Sequence, residues 1–430
     1  MAESLPKQST TGSYWNPILL ISLPLLAHKA MFLKDVLKTL FSKALVLLIN
    51  FAILILTTNY LGLEGRGLIS IITADVAIIA IFNNILSGSS VVYFIPKVGL
   101  SKLLIPASLW IFLSSFVLCM VFSVIHLEVS YFVLLALTII TSLLSFNLLA
   151  LLAKENIRWF NIFSFLHPAL LLIFNLYFIF CLKVTSANFY LLSYFLSQFI
   201  VLVISILYLR PFLLRHEIEF RLDIARQVFK YGFMNELSYL IQFLNYRLSY
   251  FLILYFINIG SVGLFSVAIA IAEAIWLIAK SITTVQYSKM VNYTSVEDSL
   301  ALTKKSVVLS FWSTLAVLLV VAVIPTFVFG YVFGKDFNTI KPLLFLLMPG
   351  ILAIAVSNVY GHYFAVTNQM KILILKSSAG LVCTVILSFL LIPRYGLIGA
   401  SVVTTVSYLV SSGYLGVAFY KKEKRSKSMC

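Results

Sequence analysis

Twelve long apolar runs follow one another along this chain, separated by short polar segments, and they decide what it can fold into. They fall near residues 36–61, 67–95, 103–126, 130–152, 159–182, 187–209, 228–257, 261–288, 306–333, 340–367, 371–392 and 397–420. Each reaches the roughly 20 residues that an α-helix needs to cross a bilayer. None shows the short alternating pattern of a membrane strand, so helices are expected throughout. The second, seventh and eighth are long enough to require tilt. The 430 residues are 61% hydrophobic and 11% charged, against about 25% charged in a soluble domain. No soluble core could hide so much apolar side chain. The expected architecture is an all-α polytopic membrane protein.

The net charge of +16 would suggest a nucleic-acid partner in a soluble protein. Here the cations sit between the apolar runs, where they set orientation, and no nucleic-acid partner is expected. With the N-terminus inside, inner segments hold 23 Lys and Arg and outer segments five: Arg66, Lys183, Lys335, Lys341 and Arg394. Both termini are therefore expected inside. Residues 1–35 read as a polar tail followed by an apolar stretch from Pro17 to Ala27 that is too short to span and suits an interfacial helix. Residues 36–209 and 228–420 form two six-span lobes, and 421–430 a basic tail. Between the lobes, residues 210–227 are the longest charged segment; Ile218, Leu222, Ala225 and Phe229 recur at helical spacing there, predicting a surface-lying amphipathic helix.

The halves echo each other. Gly67, Leu68 and Ser70 after the first span match Gly263, Leu264 and Ser266 after the seventh, at a constant offset of 196. An even number of spans between them leaves both halves in the same orientation, which implies a pseudo-twofold axis along the membrane normal.

Candidate chemistry concentrates in the hairpin Tyr231–Met290, two spans expected to meet at a six-residue turn, Asn258–Gly263. Charges at membrane depth are costly and usually face an interior or a wet cavity. Glu236 and Arg247 lie eleven residues apart, about three turns or 16 Å, on one helix face. Glu273 and Lys280, seven apart, share a face of the next span. Arg247 and Glu273 are the deeper pair and read as functional. Glu236 near the inner interface and Lys280 within snorkelling reach of it fit either a lumen or an interfacial role. In the first half Asp75 is a lumen candidate, while Lys43 is better placed to snorkel. Tyr239 and Tyr246 offer faces for sugar rings or simply pack. The cysteines (Cys119, Cys181, Cys383, Cys430) lack metal-ligand spacing. No nucleotide-binding loop is present, so no cofactor is expected, and transport would draw on an H+ or Na+ gradient, on membrane potential or on a downhill cargo.

Several stretches resemble bacterial polysaccharide flippases, the O-antigen (Wzx-type) branch of the multidrug/oligosaccharidyl-lipid/polysaccharide (MOP) exporter superfamily. They are the Tyr231-Gly-Phe start, Leu244-Asn-Tyr-Arg247, Val262-Gly-Leu-Phe-Ser-Val-Ala, Ala272-Glu-Ala-Ile-Trp276, Tyr60-Leu-Gly-Leu-Glu-Gly-Arg-Gly67, Val92-Tyr-Phe-Ile-Pro96 and Ile392-Pro-Arg-Tyr-Gly-Leu-Ile-Gly-Ala400. The resemblance implies about twelve transmembrane helices in two MATE-like six-helix bundles. It implies a non-enzyme that carries an undecaprenyl-pyrophosphate-linked oligosaccharide across the bacterial cytoplasmic (inner) membrane by alternating access, alongside polysaccharide polymerase machinery. Arg247 would meet the pyrophosphate, supported by Lys280, while Glu273, Asp75 and Glu236 would tune the lumen or carry coupling protons. The family pattern has an acidic residue two positions after this arginine; here it is Ser249, so any coupling carboxylate must lie elsewhere. The rivals are a multidrug exporter of the same superfamily, disfavoured because Asp75 is the one lumen acid expected in the first lobe, and a polysaccharide polymerase, which would want a large outer loop. A lipid II flippase usually carries two further helices, for which this length leaves no room.

Overall fold

A computed structural model describes residues 17–125, 130–213, 219–290, 296–367 and 369–427, and among them there is helix and no strand. The helices are α1 (Pro17–Ser87), α2 (Ser89–Val98), α3 (Ser101–Ile125), α4 (Tyr131–Ala153), α5 (Ile157–Leu176), α6 (Ala187–Leu213), α7 (Leu222–Phe256), α8 (Ile259–Met290), α9 (Val296–Val323), α10 (Thr326–Phe333), α11 (Ile340–Val366) and α12 (Met370–Lys427). Nine described helical stretches are long and apolar enough to cross a membrane. Two of these double back. α1 breaks at Gly62 (φ 65°, ψ −164°) and α12 at Gly396 (φ 57°, ψ −133°), backbone conformations that glycine alone adopts cheaply. α7 is the twelfth crossing; Glu236, Arg247 and its amides make it too polar to be among the nine. The chain is a multi-pass membrane protein of two six-helix bundles.

Three local expectations change. The α7–α8 turn is two residues, Ile257 and Asn258, because the Asn258 side chain accepts the Ser261 amide (2.8 Å) and starts α8 at once. The stretch from Pro17 to Ala27 runs unbroken into the first span as the leading part of α1. The amphipathic segment, from Leu222 onward, is the start of α7. Its Ala225 and Val228 are buried, and Phe229 sets its edge against Trp110 at 5.3 Å. Ile218 lies outside the described residues.

Each bundle has its own core. Val91, Leu103, Leu144, Phe163 and Val201 cluster in the first, with Ile69, Ile72, Leu137 and Leu171 in a second group beside them. Phe265, Leu343, Leu347, Ile351 and Ala400 fill the second. Hydrocarbon does not drive apolar helices together, so buried amides join them. Asn83 Nδ2 donates to Ser115 and Ser142 (2.8 and 2.7 Å), tying α1 to α3 and α4. Asn245 Oδ1 accepts from Thr384 and Ser407 (3.1 and 2.8 Å), tying α7 to both arms of α12. Asn83→Leu or Asn245→Leu should cost about 1 kcal/mol each, seen as a lower Tm of the detergent-solubilised protein; an unchanged Tm would remove these amides from the account.

Where the bundles meet, the internal repeat becomes visible in space. A Cβ on Gly67 would overlap the carbonyl oxygen of Ile259, and a Cβ on Gly263 would overlap that of Leu63. Each contact maps onto the other under the 196-residue offset. A pseudo-twofold axis thus passes between α1 and α8 at the hairpin end, the end bearing the turns at Gly62, Asn258 and Gly396. At the opposite, linker end, Gly232 of α7 presses on the Ile85 carbonyl of α1, where a Cβ would overlap it. The bundles touch backbone to backbone at both ends.

Candidate functional site

Between these two contacts lies a cavity of about 270 Å³ lined by three helices. α1 contributes Arg66, Ser70, Thr73, Ala74 and Ala77; α7 contributes Phe243, Arg247 and Tyr250; α8 contributes Ser266, Ala270 and Glu273. Each set follows the i, i+4, i+7 spacing of one helical stripe. The α1 positions 70, 74 and 77 and the α8 positions 266, 270 and 273 are equivalent under the repeat. Serine faces serine and alanine faces alanine; at the third pair Ala77 faces Glu273. The cavity sits on the pseudo-axis, and Glu273 breaks its symmetry.

Arg247 and Glu273 meet there. Arg247 Nη2 lies 2.7 Å from Glu273 Oε1, with side chains 24% and 33% exposed. Arg247 Nη1 donates to Tyr250 Oη at 2.8 Å. These contacts occupy two of the five guanidinium N–H groups, leaving donors for a further anion. The neighbours of Arg247 are fixed: Tyr246 packs on Trp276 and Tyr408 (5.6 and 5.7 Å between ring centres), and Tyr250 sets its edge on Phe265 at 6.1 Å. These ring contacts hold Tyr246 in place.

The other predicted residues separate. Asp75 is 1% exposed and does not line this cavity; at 100° per residue it lies about half a helical turn around α1 from the 66/70/73/77 stripe. Glu236 is 5% exposed, beyond the cavity at the linker end, where its Oε1 accepts from Ser89 Oγ at 3.4 Å at the start of α2. It clasps the two bundles together. Lys280 keeps the face of Glu273 but is exposed and outside the cavity lining, its Nζ 5.5 Å from the Trp276 ring. Lys43 is exposed and distant from the cavity, as snorkelling requires. Among the described residues no cluster of His, Cys, Asp or Glu could hold a metal ion.

One charged residue of the cavity escaped the sequence reading. Arg66 was placed in an outer turn, yet helix resumes at Leu63, directly after Gly62, and carries Arg66 into the cavity. Its Nε is buried without a hydrogen-bond partner. Position within the Gly62–Gly67 run concealed it; the i, i+4, i+7 spacing to Ser70 and Thr73 was the available signal. Two arginines and one carboxylate leave the cavity with net positive charge.

No described protein family and no curated protein matches the chain in sequence. Solved structures do match. The lipid II flippase MurJ in an inward closed conformation superposes with a TM-score of 0.69 at 16% identity, over 90% of this chain and 87% of that one. A multidrug resistance MATE transporter of the MOP superfamily in an inward-facing conformation gives 0.66 at 13%, over 88% and 96%. The Vibrio cholerae MATE transporter VcmN gives 0.62 at 14%, over 91% and 96%. The chain has the fold of these proteins. In this fold the cavity between the bundles is cationic; if it holds an anion such as inorganic pyrophosphate, Arg66→Ala should weaken that binding about tenfold, the worth of one charge-assisted hydrogen bond. Calorimetric titration of the purified protein reads this directly; an unchanged Kd would remove Arg66 from the site.

Proposed function

We propose that the protein is a flippase for an undecaprenyl-pyrophosphate-linked oligosaccharide, an O-antigen or capsule repeat unit, moved across the bacterial inner membrane by alternating access. The observation that carries this reading is the pair of arginines facing one carboxylate in the cavity between the bundles. A polar, anionic group can cross hydrocarbon only through such a place, and guanidinium forks suit phosphate oxygens. At about 270 Å³ the cavity is smaller than the clefts that hold even drug-sized ligands. This is a closed form, and the bundles must part to admit a sugar. The Lys and Arg distribution puts the linker end in the cytoplasm with both termini, and the hairpin end outside. Glu273, released when an anion claims Arg247, is the group best placed to take up a coupling H+ or Na+.

The multidrug exporter reading draws on Glu273, an acid in a cavity with aromatic neighbours. It would need a cavity of net negative charge to favour cations, and Arg66 with Arg247 reverses that sign. Complementation separates the two. In a flippase-deficient strain carrying the matching sugar locus, wild type should restore surface polymer and clear lipid-linked units from the inner leaflet. Failure by well-expressed protein, with increased drug efflux, would replace the flippase with the exporter.

A further inference from the structure

A second cavity, of about 610 Å³, opens between the bundles at the hairpin end. Ile78 of α1, Phe122 of α3, Phe251, Leu254 and Tyr255 of α7 and Phe389 of α12 line it, and no charged side chain does so among the described residues. Its volume is that of a cleft for a bulky apolar ligand, roughly 300–1,000 Å³. Tyr255 and Phe389 are 78% and 56% exposed, so the cleft is open to hydrocarbon at its side.

The two cavities share their walls. Ile78 follows Ala77, and Phe251 follows Tyr250, the second of each pair lining the ionic cavity. Along α7 the relation is closer. Leu254 lies seven residues beyond Arg247, on the same face and about 10 Å further along the axis. One helix face therefore passes from guanidinium through Tyr250 and Phe251 to an aromatic, aliphatic groove. A molecule with an anionic head at Arg247 and an apolar chain running toward the hairpin end would lie along it.

We propose that this cleft is the binding site for the isoprenoid chain of a polyprenyl diphosphate whose head occupies the Arg66/Arg247 cavity; the inference rests on the flippase reading above. Depth argues for this occupant over an acyl chain of the bilayer. Arg247 is ten residues from the turn at Ile257, about 15 Å along the helix and so near the middle of a hydrocarbon layer about 30 Å thick. A phospholipid keeps its headgroup at the surface, whereas a diphosphate at mid-membrane belongs to a lipid in transit. On this assignment the chain stays in apolar surroundings while the head crosses. The cleft's place at the hairpin end, the outer side in the topology proposed, is where the chain must emerge.

The test compares inorganic pyrophosphate with geranylgeranyl diphosphate, the same head with an isoprenoid chain, on the purified full-length protein. Wild type should hold the prenyl compound at least tenfold more tightly. Leu254→Trp, which fills the cleft, should abolish that advantage while leaving pyrophosphate binding unchanged, the unchanged binding also showing that the variant is folded. A photoreactive phenylalanine at position 389 should capture the prenyl compound, and excess phosphatidylglycerol should not protect against capture. If pyrophosphate binds but Leu254→Trp keeps the prenyl advantage, or phosphatidylglycerol protects fully, the cleft holds bilayer lipid and the proposal is wrong while the flippase reading stands. If neither diphosphate binds, the anion site itself fails and takes the cleft assignment with it.

Discussion

Alanine in place of Arg247 should abolish transport and weaken pyrophosphate binding about a hundredfold or more. The guanidinium can give an anion at least two charge-assisted hydrogen bonds, each worth roughly 1.5–3 kcal/mol, and each 1.4 kcal/mol is about a factor of ten. The loss is larger than that of Arg66 because Arg247 is also the partner of Glu273. Without it, a carboxylate stands unpaired at membrane depth. Folding and function can be separated. Arg247→Ala with Glu273→Gln removes the unpaired acid, and should recover abundance in the membrane without recovering binding. Arg247→Lys keeps the charge but loses the planar fork, and should recover binding only in part. Glu273→Gln alone should act in the opposite direction, tightening pyrophosphate binding because nothing competes for Arg247, and slowing transport because release is no longer assisted. Calorimetry on purified variants gives all four values; wild-type affinity in Arg247→Ala would contradict the assignment.

The glycine contacts carry the second large effect. Gly67→Ala or Gly263→Ala places a Cβ against a backbone carbonyl of the other bundle, which no rotamer change can relieve. Alanine is otherwise better than glycine within a helix by about 1 kcal/mol, so each bundle should still fold. What is penalised is the closed hairpin end. Gly232→Ala does the same to the linker end through the Ile85 carbonyl. A bias of about 5.5 kcal/mol turns a two-state population from 1:99 to 99:1, and backbone overlap of this kind is a strong bias. A single cysteine at Ala270, in a background lacking the native cysteines, reports the outcome. The Gly67 and Gly263 variants should expose it to impermeant maleimide from the hairpin side, the Gly232 variant from the linker side. Equal labelling in all variants would show that these contacts do not gate the cavity.

The number, order and length of the crossings could be read from the sequence because a bilayer leaves a spanning backbone few alternatives. Even the repeat was legible, although three matched residues did not say that Gly67 and Gly263 touch across the axis. Depth was legible too, which is why Arg247 and Glu273 stood out. Azimuth was not. Asp75 lies at cavity depth on the wrong side of its helix, and Glu236 at the linker end turns toward Ser89 instead of the lumen. Arg66 is hidden for a different reason: a glycine-rich run reads as a turn, and only the structure places the break at Gly62, four residues earlier. The α7–α8 turn is shorter than the sequence suggests because Asn258, a residue typical of loops, caps a helix.

The central claim is that an anionic lipid-linked sugar crosses through the cavity holding Arg66, Arg247 and Glu273. Its most direct test is transfer of a polyprenyl-diphosphate oligosaccharide across proteoliposomes containing the purified protein alone, scored by access of an impermeant glycosidase to the sugar. Wild type should move the lipid between leaflets, and Arg247→Ala, inserted equally well, should leave it where it was loaded. Transfer at the wild-type rate by Arg247→Ala would contradict passage through this cavity, and no transfer by a folded wild type with its gradient imposed would contradict the flippase itself.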